Sequence, residues 1–214
     1  MSNSQTLLVA VRQEWQEAWL ITAFRRRVMA GLVVLVTVLS LLPLFFQAIE
    51  RRHGVVLNDA VLRMLPPHNV SVALFIVIWS FTAYCLFRAA QTPQMFLTYL
   101  WSFIFLCALR ILTITVVPLD PPAGLIGLVD PVSNFFYGSD KFVTKDLFFS
   151  GHTSSVFLLY LTVPGKTDKK LALAVTAIVG FLLLVQHVHY TLDVLGGLFF
   201  SWVSYQLATR VVLR

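Results

Sequence analysis

The chain has 214 residues, of which 58 % are hydrophobic and only 12 % charged, with 18 Phe and 5 Trp. A water-soluble domain of this length cannot enclose that much apolar surface, so lipid is the expected solvent. The net charge of +6 does not point to nucleic acid, because Lys and Arg sit at the ends of apolar segments rather than on one soluble face.

The first 24 residues lack the short apolar core and small-residue cleavage site of a signal peptide, so the first true span is expected to serve as its own targeting signal. Leu8, Val11, Trp15 and Trp19 recur at three- and four-residue spacing among polar neighbours, the pattern of a helix lying in the membrane interface. Residues 1–26 are therefore assigned to a cytoplasmic interfacial helix and 27–214 to one catalytic bundle. Stretches 28–48, 69–89, 95–118, 147–165, 171–187 and 191–212 each come close to the apolar length of a membrane crossing, about 20 residues. The fold class expected is all-α, an integral membrane bundle of six transmembrane helices. No polar linker separates the last two stretches, and a tight turn is expected around Gln186–His189. The segment 119–145 is the longest extramembrane stretch, with prolines and glycines that discourage a regular element, and such loops often cover a site. Cys85 and Cys107 lie in apolar stretches, read as packing residues, and form no zinc spacing, so neither metal nor cofactor is expected.

Lys and Arg of short loops accumulate on the cytoplasmic side. Arg12, Arg25, Arg26, Arg27, Arg88, Lys166, Lys169, Lys170, Arg210 and Arg214 fall on one side, against Arg51, Arg52, Arg63, Lys141 and Lys145 on the other. Both termini are thus expected in the cytoplasm, and a bacterial inner membrane is the expected location.

Ionisable groups within apolar segments are costly and normally mark a site. Arg110 lies near the outer end of the third stretch, Asp146 and His152 open the fourth, and His187, His189 and Asp193 straddle the turn between the fifth and sixth, all toward the non-cytoplasmic face. If a helix begins near His189, Asp193 is its i+4 neighbour, close enough to hold one ring nitrogen and leave the other as base or nucleophile. His187 is expected to point elsewhere or to cap the turn. In Phe149-Ser150-Gly151-His152-Thr153, small and hydroxylated residues open a helix whose first amides favour an anion such as phosphate. Arg110, Asp146, Ser150, Gly151, Thr153, His187 and Tyr190 are the candidate substrate contacts.

The string Asp146-Leu-Phe-Phe-Ser-Gly-His-Thr153, followed 33 residues later by His187-Val-His-Tyr-Thr-Leu-Asp-Val194, resembles the sphingomyelin synthase family within the lipid phosphate phosphatase (PAP2) superfamily. Arg110-Ile-Leu-Thr113 and Pro118-Leu119 loosely resemble that family's motif at the end of the third span. The resemblance covers about the C-terminal half, implies a six-span fold, and makes His152, His189 and Asp193 the catalytic triad. The superfamily's phosphatases usually carry a Lys-x6-Arg-Pro motif and an Arg six residues before the nucleophilic His. Here the first is missing and the second position is Leu183.

The expected activity is transfer of a phosphocholine or phosphoethanolamine head group from a glycerophospholipid donor to a lipid alcohol such as ceramide or diacylglycerol, through a phosphohistidine. A phosphate monoester is nearly a dianion and usually meets several cations, whereas a zwitterionic diester carries one negative charge. Essentially one Arg, with Lys141 and Lys145 as possible loop contributors, favours the transferase over the rival reading of a lipid phosphate phosphatase. The acids Asp146, Asp120, Asp130 and Asp140 could attract a head-group ammonium. A third reading is a non-enzymatic six-span lipid-binding protein or transporter, although transporters place polar groups near the midplane.

Overall fold

The computed structural model describes residues 3–128 and 143–213, and Lys141, Asp130 and Asp140 lie outside them. Among the described residues there are eight α-helices and no strand: α1 (Asn3–Leu20), α2 (Thr22–Glu50), α3 (Ala60–Met64), α4 (Ser71–Gln91), α5 (Pro93–Val116), α6 (Gly151–Thr162), α7 (Lys166–Val185) and α8 (Thr191–Val212). The all-α class is as expected. Three helices, α2, α4 and α5, are long and apolar enough to cross a membrane, which marks a membrane protein.

In the fourth of the six stretches expected to cross, helix occupies only Gly151–Thr162, 12 residues. At 1.5 Å per residue that is about 18 Å, short of a hydrocarbon core of about 30 Å. α7 and α8 have 20 and 22 residues, enough length, but α7 opens with Lys166, Asp168, Lys169 and Lys170, and α8 carries Asp193, Ser201, Ser204 and Gln206.

α5 is central: it packs against α8, α2 and α6, while α6 lies against α7 and α8, and α4 against α7. Small residues allow the α6–α8 approach, since a Cβ on Gly197 would lie 3.2 Å from the Ser150 carbonyl oxygen, and Ser201 Oγ donates to Ser154 O at 2.9 Å. A second core of Leu74, Ile78, Phe81, Val156, Leu159, Val179 and Leu183 joins α4, α6 and α7.

The helix expected at the interface over residues 1–26 ends at Leu20, and Arg25 and Arg26 already belong to α2. Trp15 anchors it: the indole N–H donates to Ala90 O at 2.7 Å, and the ring meets Phe24 and Phe96 edge-on. Leu8 and Trp19 stay exposed, as suits a helix whose apolar stripe faces lipid.

At the opposite end of the bundle, the connections after α2, α5 and α7 are laced together. Val55 and Leu119 form an isolated parallel bridge, His68 N–H donates to Val185 O, and Ile126 N–H to Gln186 O. Gly54 is required at this crossing, because a Cβ there would lie 2.4 Å from the Leu119 carbonyl carbon. Buried Gln186 closes the layer by accepting from Val70 N–H and donating to Ser71 Oγ and Ile126 O.

Candidate active site

The site is built around a non-helical strap, residues 146–150, that enters the bundle ahead of α6. Leu147, Phe149 and Ser150 are buried, so the backbone groups of the strap need protein partners. Phe148 N–H donates to Asp193 Oδ1 at 3.2 Å, Thr113 Oγ1 donates to Phe148 O at 3.0 Å, Arg110 donates to Phe149 O, and Ser150 N–H donates to Asp193 O at 3.0 Å. These bonds explain why the fourth apolar stretch starts as extended chain: side chains from α5 and α8 take the place of helical hydrogen bonds. Phe148 itself has φ +50°, a conformation that bulky residues adopt only when held by their surroundings.

Arg110 links the strap to its own start by an ion pair with Asp146, a forked donor joining one carbonyl and one carboxylate. Gly151 lies against this guanidinium, where a Cβ would come within 2.8 Å of Arg110 Cζ. Gly151→Ala is expected to swing Arg110 off Phe149 O and Asp146, lowering turnover about tenfold with a smaller change in melting temperature; parallel kinetic and thermal-unfolding measurements in detergent check this.

On the other side of the strap, Asp193 is fully buried and His189 3 % exposed. His189 Nδ1 lies 3.2 Å from Asp193 Oδ2, which also accepts Tyr190 N–H at 3.0 Å. The i, i+4 pair therefore does not lie on a regular helical face. His189 precedes the N-cap Tyr190, and Asp193 is the third helical residue, its carboxylate folding back over the first turn as in a capping box.

The remaining candidates divide by location. His152, in the first turn of α6, faces Phe75 edge-on and lines a cavity of about 370 Å³ together with Arg110, Asp146, Gly151 and Ser155. Ser150 caps α6, its Oγ accepting Thr153 N–H at 3.3 Å, and both residues are fully buried. Tyr190 is buried as well, its hydroxyl accepting Leu57 N–H at 3.1 Å and donating to Asp120 O at 2.9 Å. His187, at φ +55°, turns to a separate outer cavity of about 440 Å³ and places its two ring nitrogens 2.8 Å from Ala123 O and Leu65 O. Lys145 is committed to the Asp120 carboxylate at 2.9 Å and to Arg52 O. Arg110, Asp146, Gly151 and His152 thus share one cavity, whereas His189 and Asp193 are not among its lining residues and are joined to it through the strap, whose Phe148 and Ser150 amides Asp193 accepts.

Two acids missing from the sequence reading hold this arrangement. Asp59 caps α3 by accepting Val61 and Leu62 N–H, and also accepts Thr191 N–H at 2.6 Å and Thr191 Oγ1 at 3.0 Å, so one carboxylate ties the outer loop to the first residue of α8. Its sequence signal was an N-cap acid ahead of Ala60-Val61-Leu62. Glu50 accepts from Thr144 N–H, Thr144 Oγ1 and Lys145 N–H, steering the chain into the strap; it gave no comparable signal.

Burial pushes the Asp59 carboxyl up, but the hydrogen bonds from Thr191, Leu62 and Val61 outweigh it, and the group titrates below its ordinary value. Asp120 is also held low, by the Lys145 ammonium and then Gly54 N–H. Groups lowered on folding stabilise the native state above the unfolded value, about 3.9, and that contribution is lost as pH falls through the folded value. The lacing of the outer loops is therefore expected to hold from neutral pH to about 4 and to open below it. Hydrogen exchange at the Thr191 and Gly54 amides, followed against pH, should lose protection in that window and not between pH 5 and 8.

The strap and its partners coincide with a similarity to known proteins. Residues 145–210 match the family model described as PAP2 superfamily C-terminal. The match supports the PAP2 superfamily. It runs from just before Asp146 to near the end of α8, taking in the strap, α6, α7 and the His189–Asp193 turn. No curated protein and no solved structure matches the chain. PAP2 superfamily members are typically phosphatases or phosphotransferases, which supports lipid phosphate chemistry and an enzyme in general.

Proposed function

We propose that this protein is a membrane phosphotransferase that moves a phosphocholine or phosphoethanolamine head group from a glycerophospholipid to a lipid alcohol such as ceramide, resembling the sphingomyelin synthases. The observation that carries this reading is the His189–Asp193 pair, tied through one strap to Arg110 beside His152 at the head of a largely apolar cavity.

In the first step His189 Nε2 attacks phosphorus, the bond to the diacylglycerol oxygen breaks, and His152 delivers a proton to that oxygen. Asp193 keeps the Nδ1 proton of His189 in place and balances the cationic phosphohistidine. In the second step His152 takes the proton of the acceptor hydroxyl, whose oxygen attacks phosphorus and releases His189. Arg110 stabilises charge on the nonbridging oxygens, as preorganised donors do.

The charge inventory supports a diester. Among the described residues Arg110 is the cation lining the cavity, and it is paired with Asp146, while Lys145 is bound to Asp120. A monoester dianion would be undercompensated there. In this reading the chain crosses the membrane six times, with α7 and α8 as full spans and the buried strap completing the crossing begun by α6. Both termini are cytoplasmic, and the site faces the far side of a bacterial inner membrane.

The test is lipid turnover by the purified full chain in mixed micelles, with labelled phosphatidylcholine, phosphatidylethanolamine or phosphatidic acid, with and without ceramide. Ceramide-dependent head-group transfer is the expected result. Inorganic phosphate released from phosphatidic acid alone would replace this reading with a phosphatase, and lipid retention without any turnover would favour a binding protein.

A further inference from the structure

We propose that the cavity below Arg110 and His152 holds one acyl chain of the lipid substrate, admitted sideways from the bilayer between α2 and α4 past Trp79. This rests on the lipid reading above and adds where the chain lies and how it enters. Beneath the polar end, the walls are Leu39 and Phe46 of α2, Trp79 and Thr82 of α4, and Tyr99 and Phe103 of α5. The cavity is therefore lined from a charged head to an apolar floor, as a single acyl chain below a phosphate head group requires.

Three features set the occupant and its route. Along α5 the cavity reaches from Arg110 to Tyr99, 11 residues, or about 16 Å of helix. A zigzag of carbon–carbon bonds of ~1.5 Å advances about 1.25 Å per carbon, so about 13 carbons fit. α2 and α4 both line the cavity, yet α2 packs on α1 and α5 and α4 on α5, α6 and α7, with no close pairing of α2 with α4 among the described residues. Both helices also present exposed apolar side chains, including Val36, Leu41 and Leu44 of α2 and Val72 and Ile76 of α4, so the seam between them opens onto lipid. Trp79, which lines the cavity and is 39 % exposed, stands in that seam.

The experiment is photo-cross-linking of the full chain in phospholipid nanodiscs, using phosphatidylcholine with a diazirine in mid-chain. Adducts should concentrate on Trp79 and on α5 between Tyr99 and Cys107. Thr82→Trp, which fills the floor, should lower labelling of α5 about tenfold, the effect of excluding about two methylenes. Leu39→Phe narrows the same space from α2 and serves if Thr82→Trp does not fold. Unchanged α5 labelling in the folded variant, or adducts spread over outward residues such as Phe181 and Phe199, would overturn the proposal. Labelling needs no turnover, so an inactive protein that still labels α5 would count against the transferase reading and leave the chain-holding cavity standing.

Discussion

His189→Ala is expected to reduce head-group turnover by roughly four orders of magnitude or more while the protein still folds. If His189 is the nucleophile, its loss removes the covalent route altogether, and residual activity can come only from binding and charge stabilisation. The fold should survive because Asp193 keeps its bonds from Tyr190 N–H and Phe148 N–H when the imidazole is gone. Rapid quench with head-group-labelled phospholipid should trap an acid-labile, base-stable adduct in the parent protein and none in this variant. His152→Ala separates the roles: losing a general acid costs about 10²- to 10⁴-fold, and a donor with a more acidic leaving group should recover much of that loss. Such a donor should leave His189→Ala inactive. An adduct that persists in His189→Ala would remove His189 from the covalent role.

Arg110→Lys should lower kcat/KM about 10²- to 10³-fold, close to the effect of losing an oxyanion donor. The guanidinium reaches Phe149 O and Asp146 at once, and a lysine ammonium cannot reproduce that planar fork. The strap would then lose its attachment to α5 on one side while Thr113 and Asp193 hold the rest. A drop in kcat with a modest rise in KM and a small fall in melting temperature is the expected pattern. Loss of folding in Arg110→Lys, with wild-type kinetics in any folded fraction, would reduce Arg110 to a structural clamp.

The sequence made the candidate site residues visible because their cost makes them rare. A histidine, aspartate or arginine inside an apolar stretch stands out against its neighbours, and Arg110, Asp146, His152, His189 and Asp193 were legible for that reason. The residues that hold them were less legible. Asp59 sits in a polar connection and Glu50 at the last turn of α2 beside Arg51 and Arg52, places where an acid is unremarkable, and their bonds to Thr191 and Thr144 span a hundred residues or so of chain. Ser150, Thr153 and Tyr190 lie within the recognised motifs, yet their burial and their bonds to cap and loop could not be read from position.

Taken by itself, the sequence determined the lipid setting, the all-α class, the apolar stretches that form α2, α4 and α5 and the set of polar residues that share one end of the bundle, because composition and periodicity are local properties. Tertiary structure alone decided that the stretch opening at Leu147 begins as a strap rather than a helix, and that His189 stands outside α8 with Asp193 folded back to meet it. The reason is hydrogen-bond satisfaction: a buried backbone without helical partners persists only where distant side chains supply donors and acceptors, here Arg110, Thr113 and Asp193.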